Sequence, residues 1–235
     1  MNESHGPAAS SGTVPRSGGR ASPHTPDADS GDPGADTRRA LLRAGREFFA
    51  TEGFDGASVR AITGAAGANL GAITYHFGSK RGLYEAVLTT EVGAVAEAVE
   101  EAVRSDGTAL DRIERIVASY FRVLAEHPHL PRLMLQELAA GRHPPEPVAA
   151  TFRRIAGAIG RLQTEGQADG SVRPGDPVLT ALSVVAQPIY LNLVAPFVGA
   201  VLGVDVADPE HRETMIRHAS AFVRAGLAPS TEPST

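Results

Sequence analysis

The sequence contains no cysteine, no tryptophan and a single lysine, Lys80, among its 235 residues. Without cysteine there can be neither disulfides nor thiolate metal sites. Aromatic residues make up only 5% of the chain, so stacking platforms are scarce. The first residues show neither a basic n-region nor an apolar h-region, so a signal peptide is not expected and a cytoplasmic location is. There is no basic excess either. The formal net charge is −5, which is not the balance of a bulk polyanion binder. Any contact with nucleic acid must come from a local patch. The common catalytic spacings are also missing: no H-E-x-x-H, no G-x-S-x-G and no glycine-rich phosphate loop.

What is present is enough apolar residue, 42% of the chain, to build the core of one large or two small domains. Residues 1–35 are dominated by Ser, Gly, Pro, Ala and Asp, with almost no large apolar side chain. Such a stretch cannot bury enough surface to offset its ordering entropy and reads as a disordered tail. Its charges (Glu3, Arg16, Arg20, Asp27, Asp29, Asp32) are mixed, which excludes a basic DNA-binding arm. From Asp36 to Thr90 seven cations (Arg38, Arg39, Arg43, Arg46, Arg60, Lys80, Arg81) face five anions (Asp36, Glu47, Glu52, Asp55, Glu85). This segment is mildly basic and the remainder acidic.

Four helices are expected in the segment. Thr37 to Thr51 carries Leu41, Ala44 and Phe48 at helical spacing, with Phe49 beside them, and Glu52-Gly53-Phe54-Asp55-Gly56 ends it. Ser58 caps a second helix containing Val59, Ile62, Ala65 and Ala66, stopped by Gly67. Gly64 inside it costs about 1 kcal/mol relative to Ala. Asn69 is the expected cap of a third helix, on which Leu70, Ile73 and Phe77 form one stripe while Gly71, Thr74, Tyr75 and Gly78 face elsewhere. At about two turns it is too short to stand alone and must lean on neighbours. Ser79 then caps a fourth helix running from Lys80 toward Arg104. Short helices joined by a tight Gly-Ala-Asn connection make a helix-turn-helix.

Lys80 and Arg81 fall in the first turn of that fourth helix. The helix dipole disfavours cations there by about 0.3–1 kcal/mol each unless an anion is close. A DNA phosphate would relieve the conflict by meeting the backbone N–H groups and the ammonium together. The alternative is a solvated lysine with a free rotamer.

Arg39 to Leu88 resembles the DNA-binding domain of the TetR family of transcriptional regulators. The resemblance lies in Phe48-Phe49-Ala50 and Glu52-Gly53-Phe54, then Ser58-Val59-Arg60-Ala61-Ile62 and Ala65-Ala66-Gly67. It continues through Gly71-Ala72-Ile73 and Tyr75-His76-Phe77 to Gly78-Ser79-Lys80. It implies that Ser58 and Arg60 touch phosphate, Arg60 also reaching a base, and that Gly71, Ala72 and Thr74 face base edges. Tyr75, His76 and Lys80 would clamp phosphates. Leu70 departs from a commonly polar position and Thr74 from a commonly aromatic one. Leu70 has two readings: contact with a thymine methyl, or extension of the Ile73/Phe77 stripe into the core, which the periodicity favours. His76 likewise is either a phosphate neighbour or a packed interior histidine.

Beyond Glu91 the pattern changes to longer helices near 80–104, 108–126, 130–140, 147–167, 177–200 and 208–227. The expected organisation is all-α. A helix-turn-helix domain over 36–90 precedes a helical bundle over 91–228, and a flexible tail follows at 229–235. In the family resembled, such a bundle dimerises and encloses a small-molecule pocket. The Leu-Gln-Glu-Leu run at 135–138 and the long apolar helix after Asp176 resemble the subgroup with a CecR-type C-terminal domain.

No charged residue occurs between Asp176 and Asp205. The length would admit a membrane span, but Gln187, Pro188, Asn192 and Pro196 interrupt it and no basic cluster flanks it. A helix apolar on all sides is otherwise one buried on both sides, by its own core and by a partner subunit. Pocket candidates are Tyr120, Phe121, Leu124, Met134, Glu137, Gln187, Tyr190, Asn192 and Phe197, apolar or aromatic groups with a few polar ones among them. Ordinary core packing explains the same spacing.

The expected function is a ligand-responsive, homodimeric repressor bound to a pseudo-palindromic operator on double-stranded DNA, with no cofactor, no metal and no membrane partner. A constitutive repressor or architectural protein without a ligand is the alternative. An enzyme would have to build a metal site from His127, His129, His143 and Glu137. His127 and His129 flank a proline in a turn and share no helix face, so solvated loop histidines account for them.

Overall fold

The computed structural model describes residues 33–203, 205 and 207–229. Of the tails expected over 1–35 and 229–235, residues 1–32 and 230–235 lie outside the described residues, while 33–35 belong to the first helix. Among those described, the structure is nine α-helices and no strand. They are α1 (Pro33–Gly56), α2 (Val59–Ala65), α3 (Ala72–Phe77), α4 (Lys80–Arg104) and α5 (Ala109–Glu126). Then follow α6 (Leu130–Ala139), α7 (Glu146–Asp169), α8 (Pro177–Leu202) and α9 (Pro209–Leu227).

The first helix starts earlier than its apolar periodicity indicates. Pro33 needs no N–H partner at a helix start, and its carbonyl accepts from the Thr37 hydroxyl at 2.9 Å. The break expected at 52–56 is a kink at Gly53, whose φ of 74° leaves helical space before the chain resumes one last turn. That kink turns Phe54 back beside Phe49 and Tyr84, with ring centroids 6.2 Å and 5.2 Å apart. Phe49 meets Tyr84 edge-on at 4.9 Å. Leu41, Ile62, Ile73 and Leu83 complete the buried centre of the small domain. Each such side chain contributes about 1.5–3 kcal/mol on burial.

α4 belongs to both halves. Its 25 residues span about 37 Å at 1.5 Å per residue. Leu83, Tyr84 and Val87 are buried at one end, and Val92, Val95, Ala96, Val99 and Ala102 farther along. α5 is the centre of the second half, packed by α4, α7, α8 and α9. A reciprocal capping box starts it: Asp111 N–H donates to Thr108 Oγ1 at 3.2 Å and Thr108 N–H to Asp111 Oδ2 at 3.0 Å. Arg224 of α9 pairs with Asp111 at 2.6 Å and also with Glu114, tying the last helix to the first turn of α5.

α8, expected to be buried by its own core on one side and by a partner subunit on the other, is covered within this chain along one stripe only. Thr180, Ala181, Val184 and Pro188 alone are buried along it, a narrow stripe at helical spacing. Val178, Leu179, Leu182, Tyr190, Phe197 and Leu202 point out to solvent, and Phe222 of α9 is exposed as well. By length and composition α8 could cross a membrane, yet one face of it packs against α5 and α7.

Candidate nucleic-acid interface and ligand cavity

α2 is bounded by two local devices. Ser58 Oγ accepts from the Ala61 N–H at 3.2 Å, an N-cap. At the other end Gly67 takes φ 64° while Gly67 N–H bonds Gly64 O at 3.1 Å and Ala68 N–H bonds Thr63 O at 2.9 Å. This paired closure is a Schellman motif, which needs a residue free to enter left-handed space. It swings the chain so that α3 crosses α2.

Asn69 does not cap α3 as its side-chain chemistry suggests. Its carbonyl accepts the Ala72 N–H at 3.1 Å, and Gly71 stands at the N-cap without any side-chain bond. Leu70 therefore lies in the turn before the helix, where helical spacing does not apply. It is 58% exposed, so the reading that put it on the core stripe is overturned. Ala72 corrects in the opposite direction. It is only 8% exposed and belongs with Ile73 to the packed side of α3, so its side chain cannot face base edges as the family pattern implied.

The outward side of this unit carries Ser58, Arg60, Leu70, Gly71, Thr74 and Tyr75, all exposed. Tyr75 projects furthest, 84% exposed, and the half-buried His76 ring stands edge-on to it at 4.8 Å. Arg38 lies over Phe77 at 5.2 Å.

Lys80 is not the free rotamer its lone position allows. Its Nζ donates to the Asp55 carbonyl at 3.3 Å and stands 4.9 Å from the Phe54 ring centroid. The Arg81 guanidinium lies 4.3 Å from the same centroid. One aromatic ring thus holds two cations at the start of α4, a cation–π arrangement. Ser79 Oγ caps this helix by accepting from Gly82 N–H at 3.0 Å. Gly82 itself is required by contact: a Cβ there would run into the Phe77 carbonyl oxygen.

In the second half a cavity of about 260 Å³ opens between α4, α5, α6, α7 and α8. Leu88, Val92 and Val95 form one wall, Tyr120 and Leu124 another, and Leu130, Met134, Glu137 and Leu138 a third. Pro131, Arg142, Pro144, Phe152, Ile155 and Ile189 complete it. Of the pocket candidates, Tyr120, Leu124, Met134 and Glu137 line it.

Phe121 does not. It is fully buried, one residue and about 100° around the helix from Tyr120, inside the core. Gln187, Tyr190 and Phe197 also fall outside the wall, because α8 turns a different stripe to the bundle. Asn192 lines a separate gap, and its Nδ2 donates to Pro188 O at 2.8 Å. Leu88, Val92 and Val95 were missed because their helical spacing is that of any core stripe, and nothing local marks the void beside them.

The cavity has one polar corner. Glu137 Oε1 accepts from Tyr84 Oη at 2.7 Å and from Arg142 Nε at 2.8 Å, with Arg142 Nη2 also at 2.7 Å. Local structure explains Arg142. α6 ends in a second Schellman motif: Gly141 takes φ 62°, its N–H bonds Leu138 O at 3.1 Å, and the Arg142 N–H bonds Glu137 O at 3.1 Å. The reversal folds the guanidinium back over Glu137. Burial, reinforced by the bond to Glu137, pushes the Tyr84 hydroxyl pKa far up, so it remains a donor. The bond to Glu137 likewise holds Arg142 charged. One residue earlier, Gln136 Nε2 donates to the Ala50 carbonyl of α1 at 3.1 Å.

The loop histidines do not assemble. Among the described residues no group of three or more metal-ligating side chains comes together. His127 is nevertheless not a solvated loop residue as its turn position suggests. Its Nδ1 lies 3.1 Å from Oε2 of the buried Glu91, whose Oε1 is 3.3 Å from Arg46 Nη1.

Residues 41–87 match the family described as bacterial regulatory proteins, tetR family, and residues 110–223 match a tetracyclin repressor-like C-terminal domain. The chain belongs to the TetR family. The description of its second domain does not name the CecR type. This TetR-family chain is 38% identical over 71 residues to the transcriptional repressor AcnR of Corynebacterium glutamicum, covering 30% of this chain and 38% of AcnR. The chain thus spans well under half the length of that relative. It is 25% identical over 199 residues to the transcriptional regulator RutR of Escherichia coli K12, covering 82% of this chain and 91% of RutR. The transcriptional regulator FadR from Bacillus subtilis, solved in complex with stearoyl-CoA, shares the fold at a TM-score of 0.65 and 18% identity, covering 80% of this chain and 98% of that one. These proteins are transcriptional regulators.

Proposed function

We propose that this chain is a ligand-responsive DNA-binding regulator, acting as a homodimeric repressor that a small molecule releases from a pseudo-palindromic operator. The observation that carries this reading is the position of α6. It lines the cavity with Leu130, Met134, Glu137 and Leu138, and it holds the small domain through Gln136 to Ala50 and Glu137 to Tyr84. A ligand that moves α6 must therefore move α1 or α4.

On DNA, Arg60, Leu70, Gly71 and Thr74 would meet the major groove, while Ser58, Tyr75, His76 and Lys80 position the backbone. The exposed apolar face of α8 and α9 supports a two-fold partner, since a contiguous apolar surface of this kind marks an interaction site. Two recognition helices would then sit about 34–36 Å apart in successive major grooves. Ligand binding would favour a different separation by its differential affinity for the two states. That a protein of this fold was solved with stearoyl-CoA is in keeping with a small-molecule effector. The cytoplasm is where the operator would be met.

Selection of bound fragments from genomic DNA tests this directly. A few pseudo-palindromic sites should be enriched by a dimer. Lys80→Ala should then weaken binding evenly across sequences and reduce the salt slope by about 1, whereas Thr74 variants should shift sequence preference. No enriched fragment, or a stable monomer in sedimentation at micromolar concentration, would overturn the reading.

A further inference from the structure

Tyr120 lines the cavity from α5 and is 4% exposed. Its hydroxyl has no hydrogen-bond partner among the described residues, and burial alone pushes its pKa up. A hydroxyl without a protein partner on a residue of the cavity wall can take a bond from something entering the cavity. The other polar groups at the wall form one ion pair. Glu137 is engaged by Tyr84 and Arg142, and Arg142 gives both Nε and Nη2 to Glu137. Their opposite charges are paired through Glu137 Oε1, so this corner carries no net charge to balance a charged guest. The remaining lining is apolar except for these residues. A carboxylate, phosphate or ammonium carried inside would be buried without a counter-charge, which is strongly unfavourable.

We propose that the cavity accepts an uncharged, predominantly apolar small molecule bearing one oxygen that hydrogen-bonds Tyr120, the chemistry of an aliphatic alcohol or ketone. This rests on the reading of the cavity as the effector site and adds the class of effector. Leu138 and Phe152, apolar and exposed where they border the cavity, offer the guest a greasy entrance. The oxygen end lodges at Tyr120 and the chain lies along Leu88, Val92 and Ile155.

Calorimetric titration of the full chain without DNA, using 1-octanol, 2-octanone, octanoate and octylamine at neutral pH, reads the proposal. Octanol and octanone should bind at least tenfold tighter than either charged probe. Tyr120→Phe keeps the ring and should weaken both neutral probes by roughly threefold to tenfold. Ile155→Trp fills the cavity and should abolish binding, with circular dichroism confirming that both variants fold. Octanoate or octylamine binding as tightly as octanol would overturn the proposal. So would unchanged affinity in Tyr120→Phe or Ile155→Trp, or no binding by any probe. Octanol that binds in the expected pattern but leaves operator DNA bound would support this site and count against effector control alone.

Discussion

The hydroxyl of Tyr84 and the carboxylate of Glu137, 53 residues apart in sequence, are joined by a 2.7 Å hydrogen bond. Tyr84 packs its ring into the aromatic cluster with Phe49 and Phe54, and the Phe54 ring holds Lys80 and Arg81. Glu137 meanwhile lines the cavity. One bond therefore connects the cavity wall to the side chains that stand at the start of α4. Removing it should loosen communication without emptying either site.

Tyr84→Phe tests this connection. The ring packing survives, while a hydrogen bond to a charged group is worth about 1.5–3 kcal/mol. Chemical denaturation should show a loss of that order. DNA affinity in the absence of ligand should change little, and the fold-release caused by a bound ligand should shrink. Wild-type stability together with wild-type release would contradict the role.

Gly82 and Gly64 make a paired steric test. Any side chain at Gly82 meets the Phe77 carbonyl, whereas nothing lies within 4 Å of a Cβ at Gly64. Gly82→Ala should force α3 away from α4 and reduce DNA affinity by tenfold or more while the helical content of the second domain is retained. Gly64→Ala, in an exposed helix interior, should instead stabilise the protein by about 0.4–1 kcal/mol. Equal behaviour of the two variants in binding and melting would refute the contact argument.

Asp111 has a pH signature. The Arg224 guanidinium, then the Thr108 hydroxyl and N–H, hold its carboxyl down from 3.8 to about 2 in the folded chain. A depressed pKa adds stability that is present above the unfolded value and disappears as pH falls through the folded one. Wild type should therefore exceed Asp111→Asn at pH 5, with the gap closing between about pH 4 and pH 2. The pair is solvent-exposed, so the gap is small. Urea titrations at pH 5 and pH 2.5 measure it, and a gap that widens in acid would contradict the assignment.

Much of the helical plan was legible because capping and turn chemistry are local. Ser58 and Ser79 cap where their hydroxyls can reach an N–H three residues on, and Gly67 closes α2 where a left-handed residue is needed. The end expected at Gly53 and the gaps between the helices expected near 80–104, 108–126, 130–140 and 147–167 fall where the chain breaks, since glycine and proline act on their own backbone. The family motif from Phe48 to Lys80 is similarly local, a run of adjacent short patterns.

Facing is different, because it depends on what the rest of the chain brings alongside. The spacing of Leu70, Ile73 and Phe77 was that of one stripe, but Leu70 lies in the turn before the helix and points to solvent. His127 looked like a free loop residue until the fold set Glu91 beside it. Val92 and Ile155 have the spacing of ordinary core residues, and a cavity exists between them only because five helices fail to close completely there. By itself the sequence determined the order of the helices, the caps at Ser58 and Ser79 and the helix-turn-helix, all of which follow from interactions within a few residues. Tertiary structure alone decided which side chains read outward, which enclose the cavity, and that Tyr84 reaches Glu137, because those relationships arise from the packing of segments far apart in the chain.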